Sequence, residues 1–420
     1  MNVRITPHKL SGSVLIPPSK SLAHRAIICA SLAQGKSIIS NVAYSKDILA
    51  TIDSMRAMGA KIDTYDNYVE IEGSYPKRVK NVIDANESGS TMRFMIPIAL
   101  LCPEEITFVG HNKLIDRPLD IYFDIFDKHN IKYTKDKEHY LPLTCKGKLE
   151  GGTYYLKGNV SSQFITGLLF ALPLCSSDSK IIVTTELESL GYINLTLDIL
   201  KKFGVNIEFL NNEFIIKGNQ HYKPFNYTVE GDYSQVAFWL EAIMLGNDIK
   251  IKGVSDSSLQ GDKEIIEDII KIGADINFDN DSLIVKKKGL KNLDIDVSQT
   301  PDLGPALAAL LTQVEGTSRL TNASRLRIKE CDRITCVKEE LNKLGASLDE
   351  TADTLIINGK TNIKGGIVSS HNDHRLAMAF AILASISKSD VVIENATAVS
   401  KSYPDFFDVY ESLGGIIKYE

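Results

Sequence analysis

The chain of 420 residues has no apolar run long enough to cross a bilayer: its longest are about a dozen residues, and a spanning helix needs about twenty. It has no excess of positive charge either. With 47 Lys and Arg against 53 Asp and Glu, the formal net charge is −6, so no global attraction to nucleic acid or to an anionic membrane is expected. The start, MNVRITPHKL, lacks the apolar core of a secretion signal and alternates like a strand. The expected location is therefore cytoplasmic, without nucleic-acid or membrane partners. None of the six cysteines (Cys29, Cys102, Cys145, Cys175, Cys331, Cys336) forms a CxxC, and they read as reduced structural thiols. His371 and His374 lie three apart with no further ligand at suitable spacing, so no metal site is expected.

What the chain does have is a repeat. A polar residue precedes a nearly all-apolar helix six times, at Ser19, Ser88, Ser161, Asp232, Asp302 and Asp373, with about seventy residues between successive caps. A helix that is apolar all round has to be buried. Its first turn also presents unpaired N–H groups that favour anions. After each such helix comes a strand (SIISNV, EITFVG, KIIVTT, DIKIKG, SRLTNA, VVIENA) and then an amphipathic helix, which usually stops at a glycine such as Gly59, Gly204, Gly273, Gly345 or Gly414. Alternating segments around a polar turn, for example KIDTYDNYVEIEG and SLDETADTLIING, read as hairpins. The unit is βαβαββ, and the fold class is α/β.

The sixth copy stops at GIIKYE, one strand short, and NVRITPHKL has the alternation to fill the gap. That places 18–227 in one lobe and 1–17 with 228–420 in a discontinuous second lobe, joined by two crossings. A ligand site in the cleft between two such lobes is the expectation.

Cations gather at these caps and at the starts of the second helices: Lys20, Arg25, Arg117, Lys329, Arg333, Arg375 and Lys401. Lys and Arg at a helix N-terminus oppose the helix dipole, so Lys20 and Arg25 in PPSKSLAHR call for an anionic ligand. Asp302 alone reads as a plain cap.

The motifs PPSKSLAHR, ESGSTMR, DRPL, SSQF, TPDL, RIKECDR, NDHR and SKSYPDFF, in this order over nearly the whole chain, resemble the EPSP synthase (3-phosphoshikimate 1-carboxyvinyltransferase) family. The resemblance implies a two-lobed inverse α/β barrel, three βαβαββ repeats to a lobe. It also implies transfer of the enolpyruvyl group of phosphoenolpyruvate to the 5-hydroxyl of shikimate 3-phosphate, with no cofactor. Residue by residue, it implies that Lys20, Gly89, Arg117, Gln163, Arg333, Arg375 and Lys401 hold phosphoenolpyruvate. Lys20, Ser21, Arg25, Ser161, Ser162, Gln163, Ser189, Tyr192, Asp302 and Lys329 would hold shikimate 3-phosphate. Asp302 would be the base, Glu330 the proton donor to the methylene carbon, and Lys20 an assistant at the bridging oxygen. A monomer is the expected state.

Two positions depart from the family pattern. Glu87 stands where an Asn amide normally helps hold phosphoenolpyruvate, and Arg325 stands where many relatives carry Asn. Gly89 matches the form that leaves room for glyphosate, so inhibition is expected, weakened by Glu87. Arg93 reads as a structural cation between repeats and His24 as an ordinary helix residue. One rival reading is an enolpyruvyl transferase acting on UDP-N-acetylglucosamine, but GHNKLIDR lacks that family's functional Cys and Ser21 replaces its Asn. The other is a non-catalytic anion or RNA-terminus binder. The net acidity and the presence of both Asp302 and Glu330 argue against it.

Overall fold

The computed structural model describes all 420 residues and divides into two compact units, Pro18–Val229 and Met1–Pro17 with Glu230–Glu420. The first unit carries six helices: α1 (Lys20–Leu32), α2 (Lys46–Ala57), α3 (Gly89–Ala99), α4 (Asp120–Lys128), α5 (Ser162–Ala171) and α6 (Leu190–Lys202). The second carries α7 (Tyr233–Met244), α8 (Ile265–Ile272), α9 (Gly304–Leu311), α10 (Arg333–Lys343), α11 (His374–Ala384) and α12 (Phe406–Ser412).

The odd-numbered helices are the apolar ones, and they are buried nearly throughout. Each unit has its own core built on three of them. In the first, Phe94 of α3 meets His24 of α1 and Phe170 of α5 edge-on, at ring distances of 6.3 and 5.5 Å. In the second, α7, α9 and α11 pack on one another around small residues such as Ala308, Ala309, Ala377 and Ala381. Small side chains let these helices approach closely, and Leu, Ile and Phe supply the apolar area, each worth about 1.5–3 kcal/mol when fully buried.

Side chains cap five of these six helices. Ser19, Ser88, Ser161, Asp232 and Asp373 accept from the backbone N–H groups of Leu22, Thr91, Gln163, Ser234 and Arg375 at 3.5, 3.1, 3.3, 2.9 and 2.8 Å. The sixth differs from expectation. Asp302 lies inside a 3₁₀ turn, Pro301–Leu303, and Leu303 holds the N-cap of α9, so Asp302 is not the helix cap. Its carboxylate is directed to three cations instead.

There are six four-stranded sheets with one common order. In four of them the strand before the buried helix lies parallel to the strand after it, and in all six the two hairpin arms follow antiparallel, as in Thr153–Leu156, Ser179–Val183, Glu213–Ile216 and Ile207–Leu210. Strands such as Tyr68–Gly73 alternate buried and exposed positions, so one sheet face covers the helices. The hairpin closes on a glycine for a steric reason: a Cβ on Gly73 would lie 2.2 Å from the Ala30 carbonyl oxygen, and one on Gly359 would lie 2.0 Å from that of Val314. The second helices end at Gly59, Gly204, Gly273, Gly345 and Gly414, all with positive φ, while α4 is followed instead by Asn130 at φ 56°.

Three sheets take strands from distant sequence. Val3–Thr6 pairs with both Val391–Glu394 and Ile416–Tyr419, filling the place the truncated last copy leaves open. Ser11–Leu15, which precedes α1 in sequence, joins Asp248–Lys252 behind α7. Tyr227–Thr228, which precedes α7, joins Gly35–Ser40 behind α1. Each unit thus completes its sheets from its own residues.

Candidate active site

In the second unit, the 3₁₀ turn before α9, the loop before α10 and the start of α11 bring charged groups together. Arg333, the first residue of α10, is almost fully buried, with 1% of its side chain exposed. Its guanidinium donates to three carboxylates: Nη1 to Asp302 at 2.9 Å, Nη2 to Glu330 at 2.8 Å and Nε to Asp373 at 2.7 Å. Arg375 Nη2 donates to the other Asp302 oxygen at 2.8 Å and to Ser234 Oγ at 3.2 Å. Lys329 Nζ lies 3.4 Å from Asp302 Oδ1. Lys401 Nζ donates to the Asn372 carbonyl at 2.6 Å, next to the Asp373 cap.

Electrostatics follow from this arrangement. Burial pushes the Asp302 carboxyl up, but Arg375, Lys329 and Arg333 outweigh it and hold it well below the usual range. Lys329 is lowered to about 8, first by burial and then by Arg325 and Arg333, with Asp302 opposing. Arg325 is itself buried and donates to the Ser298 carbonyl at 3.3 Å. Three cations (Lys329, Arg333, Arg375) thus pair with three carboxylates, two of which, Asp302 and Glu330, are partly exposed, and Lys401 is tied to the Asn372 carbonyl beside them.

The first unit has its own cluster. Lys20, opening α1, pairs with Asp47 of α2 at 2.8 Å. Arg25 is buried one turn further on and donates to Ser21 O at 2.7 Å, Thr196 Oγ1 at 2.9 Å and Tyr192 O at 3.0 Å. Burial lowers its pKa to about 10, with Tyr192 and Cys29 opposing. Ser189, ahead of α6, is left-handed at φ 56°, and Tyr192 follows within the first turn. Gln163 of α5 accepts from Arg93 Nη1 of α3 at 2.8 Å and donates to Ser90 Oγ at 2.8 Å. Arg93 also lies over the Phe164 ring at 5.0 Å, so it ties the second repeat to the third. Gly89 opens α3 directly under Arg117: a Cβ there would sit 2.5 Å from Arg117 Nη1. Ser161 uses its hydroxyl as a cap, and Ser162 is the buried first residue of α5.

Two residues that sequence reasoning did not place stand out. Asp47 looks like an ordinary first-turn acid in an amphipathic helix, and nothing in the sequence links it to Lys20. Asp373 was legible as a cap, but its second task, holding Arg333 across 40 residues, was not. His24 fits the plain reading: it is buried and joined to Thr51 at 2.7 Å, and Thr51 continues to Thr91 at 2.7 Å. His371 pairs with Glu340 at 2.7 Å.

Solved structures share this architecture. EPSP synthase from Acinetobacter baumannii superposes with a TM-score of 0.80 at 23% identity, covering all of both chains. The enolpyruvyl transferase NikO from Streptomyces tendae gives 0.82 at 16%, covering 100% of this chain and 98% of that one. These likenesses define the fold as that of the enolpyruvyl transferases. The sequence goes further. The family model described as EPSP synthase (3-phosphoshikimate 1-carboxyvinyltransferase) matches residues 5–410. A Clostridium perfringens protein named 3-phosphoshikimate 1-carboxyvinyltransferase is 51% identical over 422 aligned residues, covering 100% of this chain and 99% of its own. The chain belongs to the EPSP synthase family.

Proposed function

We propose that the protein transfers the enolpyruvyl group of phosphoenolpyruvate to the 5-hydroxyl of shikimate 3-phosphate, giving EPSP and phosphate, the shikimate-pathway step toward chorismate. Full-length identity of about half to relatives named for this activity favours it over a UDP-sugar substrate. The observation that carries it is the Arg333 cluster, where a base candidate and an acid candidate, Asp302 and Glu330, share one buried guanidinium. Both substrates carry a carboxylate and a phosphate, which forked and point cations recognise.

In this reading Lys20, Gly89, Arg117, Gln163, Arg333, Arg375 and Lys401 hold phosphoenolpyruvate. Shikimate 3-phosphate is held by Lys20, Ser21, Arg25, Ser161, Ser162, Gln163, Ser189, Tyr192, Asp302 and Lys329. Asp302 takes the proton of the attacking hydroxyl, Glu330 protonates the methylene carbon, and Lys20 serves the bridging oxygen. Without ligand, a carboxylate held so low in pKa is a poor base. An incoming anion competes with Asp302 for Arg333 and Arg375. As that competition succeeds, the carboxyl returns toward its ordinary range and becomes able to accept a proton. The acid–base pair is thus activated by substrate charge itself.

Mixing the purified protein with both substrates should release phosphate. A folded protein that releases none overturns the proposal. Glyphosate should inhibit, and the Glu87→Asn variant should be inhibited more strongly; insensitivity of both variants rejects this part. The protein is taken to act as a monomer, which sedimentation of the free protein would check.

A further inference from the structure

Helix α10 begins with Asp332 at its N-cap, accepting from Thr335 N at 3.2 Å. In that frame Cys331 occupies the position before the cap and Cys336 the fourth residue of the helix. These are the two places whose apolar side chains normally meet as a hydrophobic staple. Here both are thiols, and Cys336 is the foremost of the groups that raise the Cys331 thiol. The Cys331 sulfur also lies 3.8 Å from Asp373 Oδ2, the oxygen that accepts from Arg333 Nε. Immediately before Cys331 is Glu330, so one segment carries a catalytic candidate and half of a dithiol. The thiols are 8% and 9% exposed, at the edge of the interior rather than sealed within it.

We propose that Cys331 and Cys336 form an oxidisable pair, closing to a disulfide with a low-molecular-weight disulfide as oxidant and switching down the activity assigned above. In the first exchange, one thiolate of the pair attacks a reagent sulfur, forming a mixed disulfide and releasing one reagent thiol. The second thiolate displaces the other reagent thiol and closes the bond. The two protons of the pair end on the two released thiols, so the protein dithiol is oxidised and the reagent disulfide reduced. The staple gives the proximity that such closure needs.

Closure contracts the sulfur separation to a bond of about 2.05 Å. It also removes the S–H contact to Asp373. The Glu330 backbone must follow, which moves the acid candidate relative to Arg333. The Cys331 thiol is raised by Cys336, by burial and by the Asp373 carboxylate, so the thiolate is scarce and the pair answers to sustained oxidation rather than to a brief pulse.

Peptide mass mapping tests this on the full-length protein incubated natively with oxidised glutathione and then alkylated. Tryptic cleavage after Lys329, Arg333 and Lys338 yields Glu330–Arg333 and Ile334–Lys338, which should appear joined by a disulfide. Phosphate release should fall on the order of tenfold or more, as expected for a small displacement of a reacting group, and dithiothreitol should restore it. The Cys336→Ser variant should keep its activity through the same treatment. Peptides that stay unlinked overturn the inference, as does a linked pair with undiminished activity or an equal loss in Cys336→Ser. Should that variant not fold, the wild-type peptide map decides. This inference rests on the proposed reaction for its activity readout only. A protein that forms the link yet never releases phosphate rejects the reaction and retains the modification site.

Discussion

Lys329 is the site lysine whose charge is brought toward neutral pH. Its pKa of about 8 lies well below the ordinary lysine value because burial and neighbouring cations penalise the ammonium. A bound phosphate would raise it again, so the affinity contributed by Lys329 is fully present below pH 8 and declines as pH rises above that value. The KM for shikimate 3-phosphate should therefore climb between pH 8 and 9, while a Lys329→Arg variant keeps a flatter profile; equal profiles would remove Lys329 from the phosphate. Arg333 raises a different issue. The resemblance makes it an anion ligand, and loss of a ligand contact alone would leave a folded, nearly inactive chain. Its burial against three carboxylates adds a structural cost, since breaking a buried pair strands the remaining charges at about 3–5 kcal/mol. Arg333→Ala is expected to lower the denaturation midpoint as well as the activity. Asp373→Asn, which keeps the cap acceptor, should reduce turnover with a smaller loss of stability. A denaturant titration of both variants beside their rates separates the two effects. Asp373 also shows why the site was only partly legible: capping is a local signal readable from Asn372–Arg375, but pairing with Arg333 belongs to the tertiary fold.

At the scale of elements, periodicity carried most of the information. All-apolar runs behind Ser or Asp could only be buried helices, and five of six used the anticipated cap. The exception is informative. Pro301 suits a 3₁₀ turn, which pulls Asp302 off the helix end and frees its carboxylate for Arg333, Arg375 and Lys329. The repeat abandons its own rule at the residue that the proposed reaction assigns as the base. The closing glycines were legible as turn signals, but their steric reason, an approach to a helix-end carbonyl, required coordinates. Gly359→Ala would press a methyl against the Val314 carbonyl and should destabilise the second unit by about 1–3 kcal/mol. Leu310→Ala on α9, wholly buried, should cost about 2–5 kcal/mol. Chemical denaturation of both variants checks the order, and a near-neutral Leu310→Ala would contradict the assigned core.

For the whole molecule, the governing fact is that the first strand completes the last sheet. Val3 and Ile5 are fully buried there, so removing residues 2–6 deletes two core side chains, leaves Ile416–Tyr419 without a partner and leaves Val391–Glu394 paired only with Gly366–Ser369. The truncated protein should unfold earlier within Met1–Pro17 and Glu230–Glu420, with hydrogen exchange in Pro18–Val229 unaltered. Uniform loss of protection across both units would refute that localisation. The same pairing sets a timetable. On the ribosome, residues 18–229 are all present before Glu230–Glu420 is made, and that unit can close early. Strand Val3–Thr6 is translated before the rest of its sheet and must wait for Val391–Glu394 and Ile416–Tyr419, its two neighbours. Until those strands are made, Val3 and Ile5 have no sheet to enter, so the nascent chain depends on a folding partner that does not yet exist.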